Sequence, residues 1–351
     1  MAGLIRILSI DGGGIRGIIP GQILIHLEKI LRAKTKNKEA RIADYFDFIA
    51  GTSTGGILTC LYLCPDQSKK TNIPRCRYSA EEVVNFYLEH GAEIFQAPLW
   101  HRIFSLFGLI KESYRVGKLE KNLHQYFGNI NLNHLIKPCL ITSYNIEERY
   151  THFFTKHDAE KSPEYNYRLK DVARATSAAP TYFKAARIKS LAKKFYPLID
   201  GGVFANNPAL CAYTEVCKTF NGYPTARDMV ILSLGTGDDE KAIPYNQAKN
   251  WGKIGWAIPI LKVLTSGNSE TVDYQLKTIF KAVQKPNQYL RINPKVSGAM
   301  TAMDNVSPEN LKALVDYGRE TAKKFNSQLE KIAELLIEDT INQEKHRKVG
   351  G

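Results

Sequence analysis

The first group in this chain that could act as a nucleophile is a serine between glycines. Gly51-Thr52-Ser53-Thr54-Gly55 fits the pattern G-x-S-x-G. In that pattern the serine occupies a tight strand-to-helix turn, so that its hydroxyl projects and the amino terminus of the following helix faces it. Gly51 and Gly55 permit the strained backbone and keep side chains away from an approaching substrate carbonyl. So short a pattern also fits a Ser/Thr-rich helix cap. The context favours the turn, because the apolar run Phe46 to Ala50 precedes it and Ile57 to Leu63 follows it, a strand and a helix in the required order.

A second glycine-rich turn, Asp11-Gly12-Gly13-Gly14-Ile15-Arg16-Gly17, follows the apolar run Leu4 to Ile10. Gly12, Gly14 and Gly17 match G-x-G-x-x-G, and a dinucleotide-binding loop of that kind needs an acidic residue about 20 positions on to hold a ribose. The corresponding stretch, Arg32-Ala33-Lys34-Thr35-Lys36-Asn37-Lys38, is basic and lacks strand character, which argues against the nucleotide. A glycine run can instead aim successive backbone N–H groups at one oxyanion, as acyl transfer demands. Gly13 and Gly14 are the expected donors.

A nucleophilic serine needs a base, and the usual chain order is Ser, acid, His. Of the histidines only His346 follows Asp200, and it sits in the charged tail EKHRK. Asp200-Gly201-Gly202, after the strand candidate Phe195 to Ile199, offers an alternative in which a carboxylate contacts Ser53 directly. Taken alone it reads equally well as a turn aspartate before two glycines. An aspartate with a pKa of about 3.9 in water is a weak base at neutral pH, so burial or positioning has to raise its effectiveness.

The elements that must hold these groups alternate. Strand candidates are Leu4 to Ile10, Phe46 to Ala50, Cys139 to Ser143, His152 to Thr155, Phe195 to Ile199 and Met229 to Leu234. Helical patterns cover Ile18 to Leu31, Ile57 to Leu63, Glu81 to Glu89, Leu119 to Tyr126, Lys170 to Ala175 and Ala209 to Lys218. Short buried strands alternating with helices argue an α/β fold with a mostly parallel sheet covered on both faces. From Asn250 onward the strand signal fades, and Thr271 to Lys281 and Glu309 to Glu338 read as helices packing onto the sheet. No repeat or linker divides the chain. The expectation is one domain over residues 1–351, with 250–351 its mainly helical part and Pro65 to Tyr78 and Gln96 to Arg115 as excursions.

Composition sets the outer bounds. Of 351 residues, 44% are hydrophobic, enough to bury a core and exclude disorder as the dominant state. Six cysteines are too few for a disulfide scaffold; Cys60 and Cys64, four apart in ILTCLYLC, read as small core residues, and no Cys-x-x-Cys suggests zinc. The amino-terminal apolar stretch, interrupted by Arg6, is short for a signal peptide, and no window reaches a membrane span. These features point to a cytoplasmic protein, free or peripheral to the inner face of the membrane.

The three motifs, in this order and spacing, resemble those of the patatin-like phospholipases. Ala175-Thr176-Ser177-Ala178-Ala179-Pro180 and Leu232-Ser233-Leu234-Gly235-Thr236-Gly237 support the likeness, which spans roughly residues 4 to 240. The resemblance implies a patatin-like three-layer α/β sandwich and a Ser–Asp dyad that hydrolyses acyl esters of phospholipids or related lipids with no metal or other cofactor. Carried over, Ser53 is the nucleophile, Asp200 the base, and Gly12, Gly13 and Gly14 the oxyanion loop. Gly17, Gly51, Gly55, Gly201 and Gly202 frame the motifs. Arg16 occupies the basic position of the glycine motif, where it anchors the loop or meets an anion. The carboxy-terminal third resembles bacterial patatin-like effectors of anti-phage defence, which implies a cyclic dinucleotide as activator.

All three tryptophans fall in two apolar segments flanked by basic residues, Trp100 in PLWHRIFSLFGLI and Trp251 and Trp256 in WGKIGWAIPILKVL. Such segments suit a membrane interface, and a net charge of +13 draws a protein to anionic lipid. Core packing explains the same apolar residues. No nucleic-acid motif accompanies the charge, so a nucleic acid polymer is not an expected partner. An acyltransferase using the same dyad and a non-catalytic lipid-binding module are the competing functions; oligomeric state is not legible.

Overall fold

The computed structural model describes residues 3–68, 74–95, 113–239, 241–256 and 259–349. At its centre lies β1 (Ile5–Ile10), which is flanked in parallel by β2 (Phe48–Thr52) and β7 (Met229–Leu234). β3 (Cys139–Asn145) continues the parallel sheet beyond β2, and β9 (Tyr289–Ile292) continues it beyond β7. β4 (Tyr150–Thr155) and β6 (Phe195–Asp200) pair antiparallel with β3, and β5 (Ala186–Lys189) pairs antiparallel with β6. A two-residue parallel pair, β8 (Asp238–Asp239) with β10 (Lys295–Val296), stands apart.

Apolar side chains on both faces make β1 and β7 suitable for the middle of a sheet. Leu8 and Ile10, with Val230, Leu232 and Leu234, enter one hydrophobic cluster, while Ile7, Met229 and Ile231 enter a second on the other face. The first cluster is closed by α1 (Ile18–Thr35), α2 (Thr54–Tyr62), α3 (Ala80–Phe95), α4 (Ser113–Phe127) and α5 (Leu169–Thr176). The second is closed by α6 (Ala209–Thr219) and α7 (Pro259–Ala282) through Ala212, Val216, Leu276 and Phe280. Helix, sheet and helix make the three layers expected. In α1, Ile19, Ile23, Leu27 and Leu31 recur every fourth residue and are all buried. That helix ends where Lys36 turns left-handed with φ 54°.

The carboxy-terminal part, expected to be mainly helical, also contributes strands. β9 adds an edge strand there, four residues long and too short to show a period. The run Glu309 to Glu338 is two helices, α8 (Pro308–Lys324) and α9 (Asn326–Val349), which meet at Phe325 and both pack along α1. β5 was equally illegible. The excursion from Pro65 to Tyr78 is pinned by a bridge between Pro65 and buried Cys76. Of the other excursion, residues 96–112, including Trp100, lie outside the described residues, and α4 begins at Ser113.

Register places the two motif ends that matter. β2 runs along the first half of β3, with Thr52 opposite Thr142, and β6 runs along the second half from the other direction, with Asp200 opposite Ser143. β4 covers the remaining edge of β3. The carboxyl ends of β2 and β6 therefore meet head-on at neighbouring positions of one strand. A hydrogen bond of 2.7 Å between the Thr52 and Thr142 hydroxyls reinforces the junction.

Candidate active site

Ser53 stands between β2 and α2 with φ 55° and ψ −121°, a conformation that a non-glycine residue adopts only where the surroundings impose it. Two contacts impose it here. Its N–H donates to the Thr176 hydroxyl at 2.9 Å, and its carbonyl accepts the Ile57 N–H at 3.0 Å in the first turn of α2. Gly55 lets the turn close, since a Cβ there would lie 2.1 Å from the Ile10 carbonyl oxygen of β1. Gly51 and Gly17 face similarly tight contacts, with the Gly55 carbonyl and the Thr54 hydroxyl.

Asp200 ends β6, buried, and its carboxyl shares the cavity with the Ser53 side chain, which favours its charged form. Its Oδ1 also accepts the Gly202 N–H at 2.7 Å. Gly201 fits against Thr142, where a side chain would collide. Burial pushes the Asp200 carboxyl up to about 6, outweighing the Ser53 side chain and the Gly202 N–H, which favour its charged form. That value suits a general base at neutral pH, being close enough to accept a proton and low enough to be empty.

Four amides of the glycine loop are committed to the protein. Asp11 N–H donates to Leu234, Gly12 N–H to the Asn206 carbonyl at 3.1 Å, Ile15 N–H to the Met303 carbonyl at 2.9 Å and Arg16 N–H to Gly13. The Gly13 and Gly14 amides have no hydrogen-bond partner among the described residues, and both glycines line the cavity that contains Ser53. Of the three glycines expected to serve an oxyanion, Gly12 therefore has its donor directed elsewhere. Gly14 has φ 60° and packs under the Met303 carbonyl, which leaves no room for a Cβ. Arg16 is buried and donates to the carbonyls of Gly237 at 2.9 Å and Gly13 at 3.4 Å, the geometry of a loop anchor.

Sequence reasoning missed the network under this loop. The buried Asp11 carboxylate accepts two bonds from the Arg291 guanidinium, at 2.7 and 2.5 Å, and one from the Ser269 hydroxyl at 3.1 Å. Arg291 also reaches the Ser233 hydroxyl at 2.9 Å, and Thr236 donates to the Gly12 carbonyl at 2.7 Å. Asp11 lay in a recognised motif, but its partner comes from the unanticipated strand β9. Ser233 and Thr236 belong to the stretch Leu232 to Gly237, which supports the family resemblance but assigns neither residue a role.

Ser53, Asp200, Gly13 and Gly14 open on one cavity of about 440 Å³. Its walls are largely apolar, including Pro180, Phe183, Leu261, Leu264 and Met303, as an acyl chain would require. Elsewhere His157, Asp158 and Glu215 bring their ligand atoms within 4.8 Å of one another. Lys161, at 3.2 Å from Asp158, and Lys218, at 3.4 Å from Glu215, already balance those carboxylates, and none of the three lines the cavity. Cys60 and Cys64 are buried free thiols, and burial pushes Cys64 up to about 12. No helix among the described residues is long and apolar enough to cross a membrane.

A three-layer α/β fold with a serine on a strand-to-helix turn, a buried aspartate against it and a glycine loop alongside defines a class, and residues 8–213 match the family model of that class, Patatin-like phospholipase. The chain belongs to the patatin-like phospholipases, a family of lipid acyl hydrolases. It is 34% identical to Patatin-T5 of Solanum tuberosum over 359 residues, covering 95% of this chain and 90% of that one. It is 36% identical to Patatin-like protein 3 of Arabidopsis thaliana, covering 92% and 81%. A similar match, 32% identity, is to a Solanum tuberosum protein named Probable inactive patatin-3-Kuras 1. Activity in this chain therefore has to be argued from its own residues.

Proposed function

We propose that this protein cleaves fatty acyl esters of membrane phospholipids through an acyl-enzyme on Ser53, with Asp200 as general base. The observation that carries the reading is the meeting of β2 and β6 on β3, which sets the Ser53 hydroxyl against a carboxylate held near pKa 6 at the floor of an apolar cavity. As the Ser53 oxygen bonds to the ester carbon, its proton passes to Asp200 and the carbonyl π pair moves onto oxygen, where the Gly13 and Gly14 amides meet it. Collapse breaks the bond to the glycerol oxygen, which takes the proton from Asp200. Water then attacks the acyl-enzyme by the same route in reverse order and releases the fatty acid.

The membrane contact belongs to the same reading. Trp256 and, on α7, Ile260, Val263 and Leu264 are exposed, and Leu264 with neighbouring Leu261 also lines the cavity. An apolar helix edge continuous with the cavity wall, in a protein of net charge +13, suits a lipid surface. The test uses phosphatidylcholine–phosphatidylglycerol vesicles, with and without a cyclic dinucleotide, and identifies the products. Free fatty acid and lysophospholipid are expected in water; intact lipid under every condition contradicts the reading, and acyl groups found only on an added alcohol favour the transferase.

A further inference from the structure

We propose that Asn206 is a further catalytic residue, its carboxamide donating a hydrogen bond to the oxygen that becomes negatively charged when Ser53 attacks an acyl ester. This rests on the acyl-hydrolase reading above. The Asn206 backbone is fixed on both sides. Its N–H donates to the Asn268 side chain of α7 at 3.0 Å, and its carbonyl accepts the Gly12 N–H at 3.1 Å. One residue thus ties the helix over the cavity to the glycine loop and turns the Gly12 amide inward.

The side chain is placed differently. Asn206 Oδ1 lies 2.6 Å from the point where a Cβ on Gly12 would stand, and Ser53 Cβ lies 3.2 Å from that same point. The carboxamide and the nucleophile therefore share one corner of the cavity, which Asn206 lines together with Ser53 and Asp200. The Oδ1 rests against Gly12 and, at 3.4 Å from the equivalent point, Gly202. Among the described residues neither polar atom of this side chain has a hydrogen-bond partner in the protein. The next residue shows the contrast: Asn207 is fully buried away from the cavity lining, its Oδ1 accepts the Ala209 N–H at 3.0 Å and the Ser233 hydroxyl at 3.4 Å, and its Nδ2, also without a partner among the described residues, is closed off from solvent. Asn207 is held in the framework through its Oδ1 and does not reach the cavity, whereas Asn206 lines it and both of its Nδ2 hydrogens remain for a ligand. In a cavity with apolar walls a fixed donor beside the developing charge is worth far more than in water. Asn206 gives up no proton; the Ser53 proton goes to Asp200 throughout.

The experiment compares wild type, Asn206→Ala and Asn206→Asp with a p-nitrophenyl ester and measures the rate at which a fluorophosphonate labels Ser53. Asn206→Ala is expected to lower kcat by about 10²-fold with little change in KM, and to slow labelling in proportion. Asn206→Asp, close to the original in size, is expected to be slower still and to move the acidic limb of the pH profile upward, because a new carboxylate opposes ionisation of Asp200. A purely structural side chain would move neither the limb nor kcat selectively. A wild type that is labelled, with both variants labelled and turning over at its rate, overturns the proposal. A wild type that is neither labelled nor active on any ester overturns the acyl-hydrolase reading, and this proposal with it.

Discussion

Ser53→Ala and Asp200→Asn are each expected to lower kcat for acyl ester hydrolysis by about 10⁴-fold, and the double variant by little more, because the two side chains act as one unit. What separates them is pH and stability. In the wild type kcat/KM is expected to rise tenfold per pH unit up to about 6 and then level off, the behaviour of a base with the Asp200 pKa. Asp200→Asn removes that limb from whatever activity remains. Its effect on folding has the opposite sign. The carboxyl takes up a proton more readily folded, near 6, than at its ordinary value of 3.8, so its ionisation opposes folding above pH 6 and is neutral to folding below about 4. Asp200→Asn is thus expected to gain up to about 3 kcal/mol at pH 8, with the gain fading towards pH 4. Urea titrations at the two pH values check it; equal stability at pH 8 would mean that the carboxylate is not held against its preference.

Removing the guanidinium under the glycine loop is expected to have the largest effect on folding. Arg291→Ala leaves the Asp11 carboxylate buried with only Ser269 to meet it, at a cost of about 3–5 kcal/mol. Since Asp11 is the residue before the glycine run, the amides of Gly13 and Gly14 lose their support as well, and kcat should fall even at temperatures where the protein remains folded. Arg291→Lys keeps the charge but not the two parallel bonds and should fall between. The check is the denaturant midpoint together with kcat for each variant; an unchanged midpoint in Arg291→Ala would show that the pair does not hold the loop.

The contrast between Ser53 and Arg291 shows what the sequence carries. Ser53, the glycine run and Asp200 were legible because each demands unusual local residues: a tight turn needs glycine, and an exposed amide needs a neighbour without a side chain. Strands β1, β2 and β7 were legible because a strand buried on both faces must be apolar throughout. β5 and β9 were not, since four residues at a sheet edge have neither a period nor a continuous apolar run. Losing β9 meant losing Arg291, whose partner Asp11 lies 280 residues away in the chain. Asn206 escaped for a related reason. Nothing in Asn206-Asn207-Pro208 tells which amide is framework and which faces the cavity; only the fold around Gly12 separates them. The head-on meeting of β2 and β6 likewise depends on an antiparallel strand in a sheet whose other signals are parallel.

The most direct test of the account is rapid acid quenching of the protein with a p-nitrophenyl fatty acyl ester, followed by peptide mapping. A burst of nitrophenol equal to the protein present, with the acyl group on the peptide containing Ser53 and none in Ser53→Ala, is the predicted result. An acyl group on any other residue, or turnover by Ser53→Ala at the wild-type rate, would contradict it.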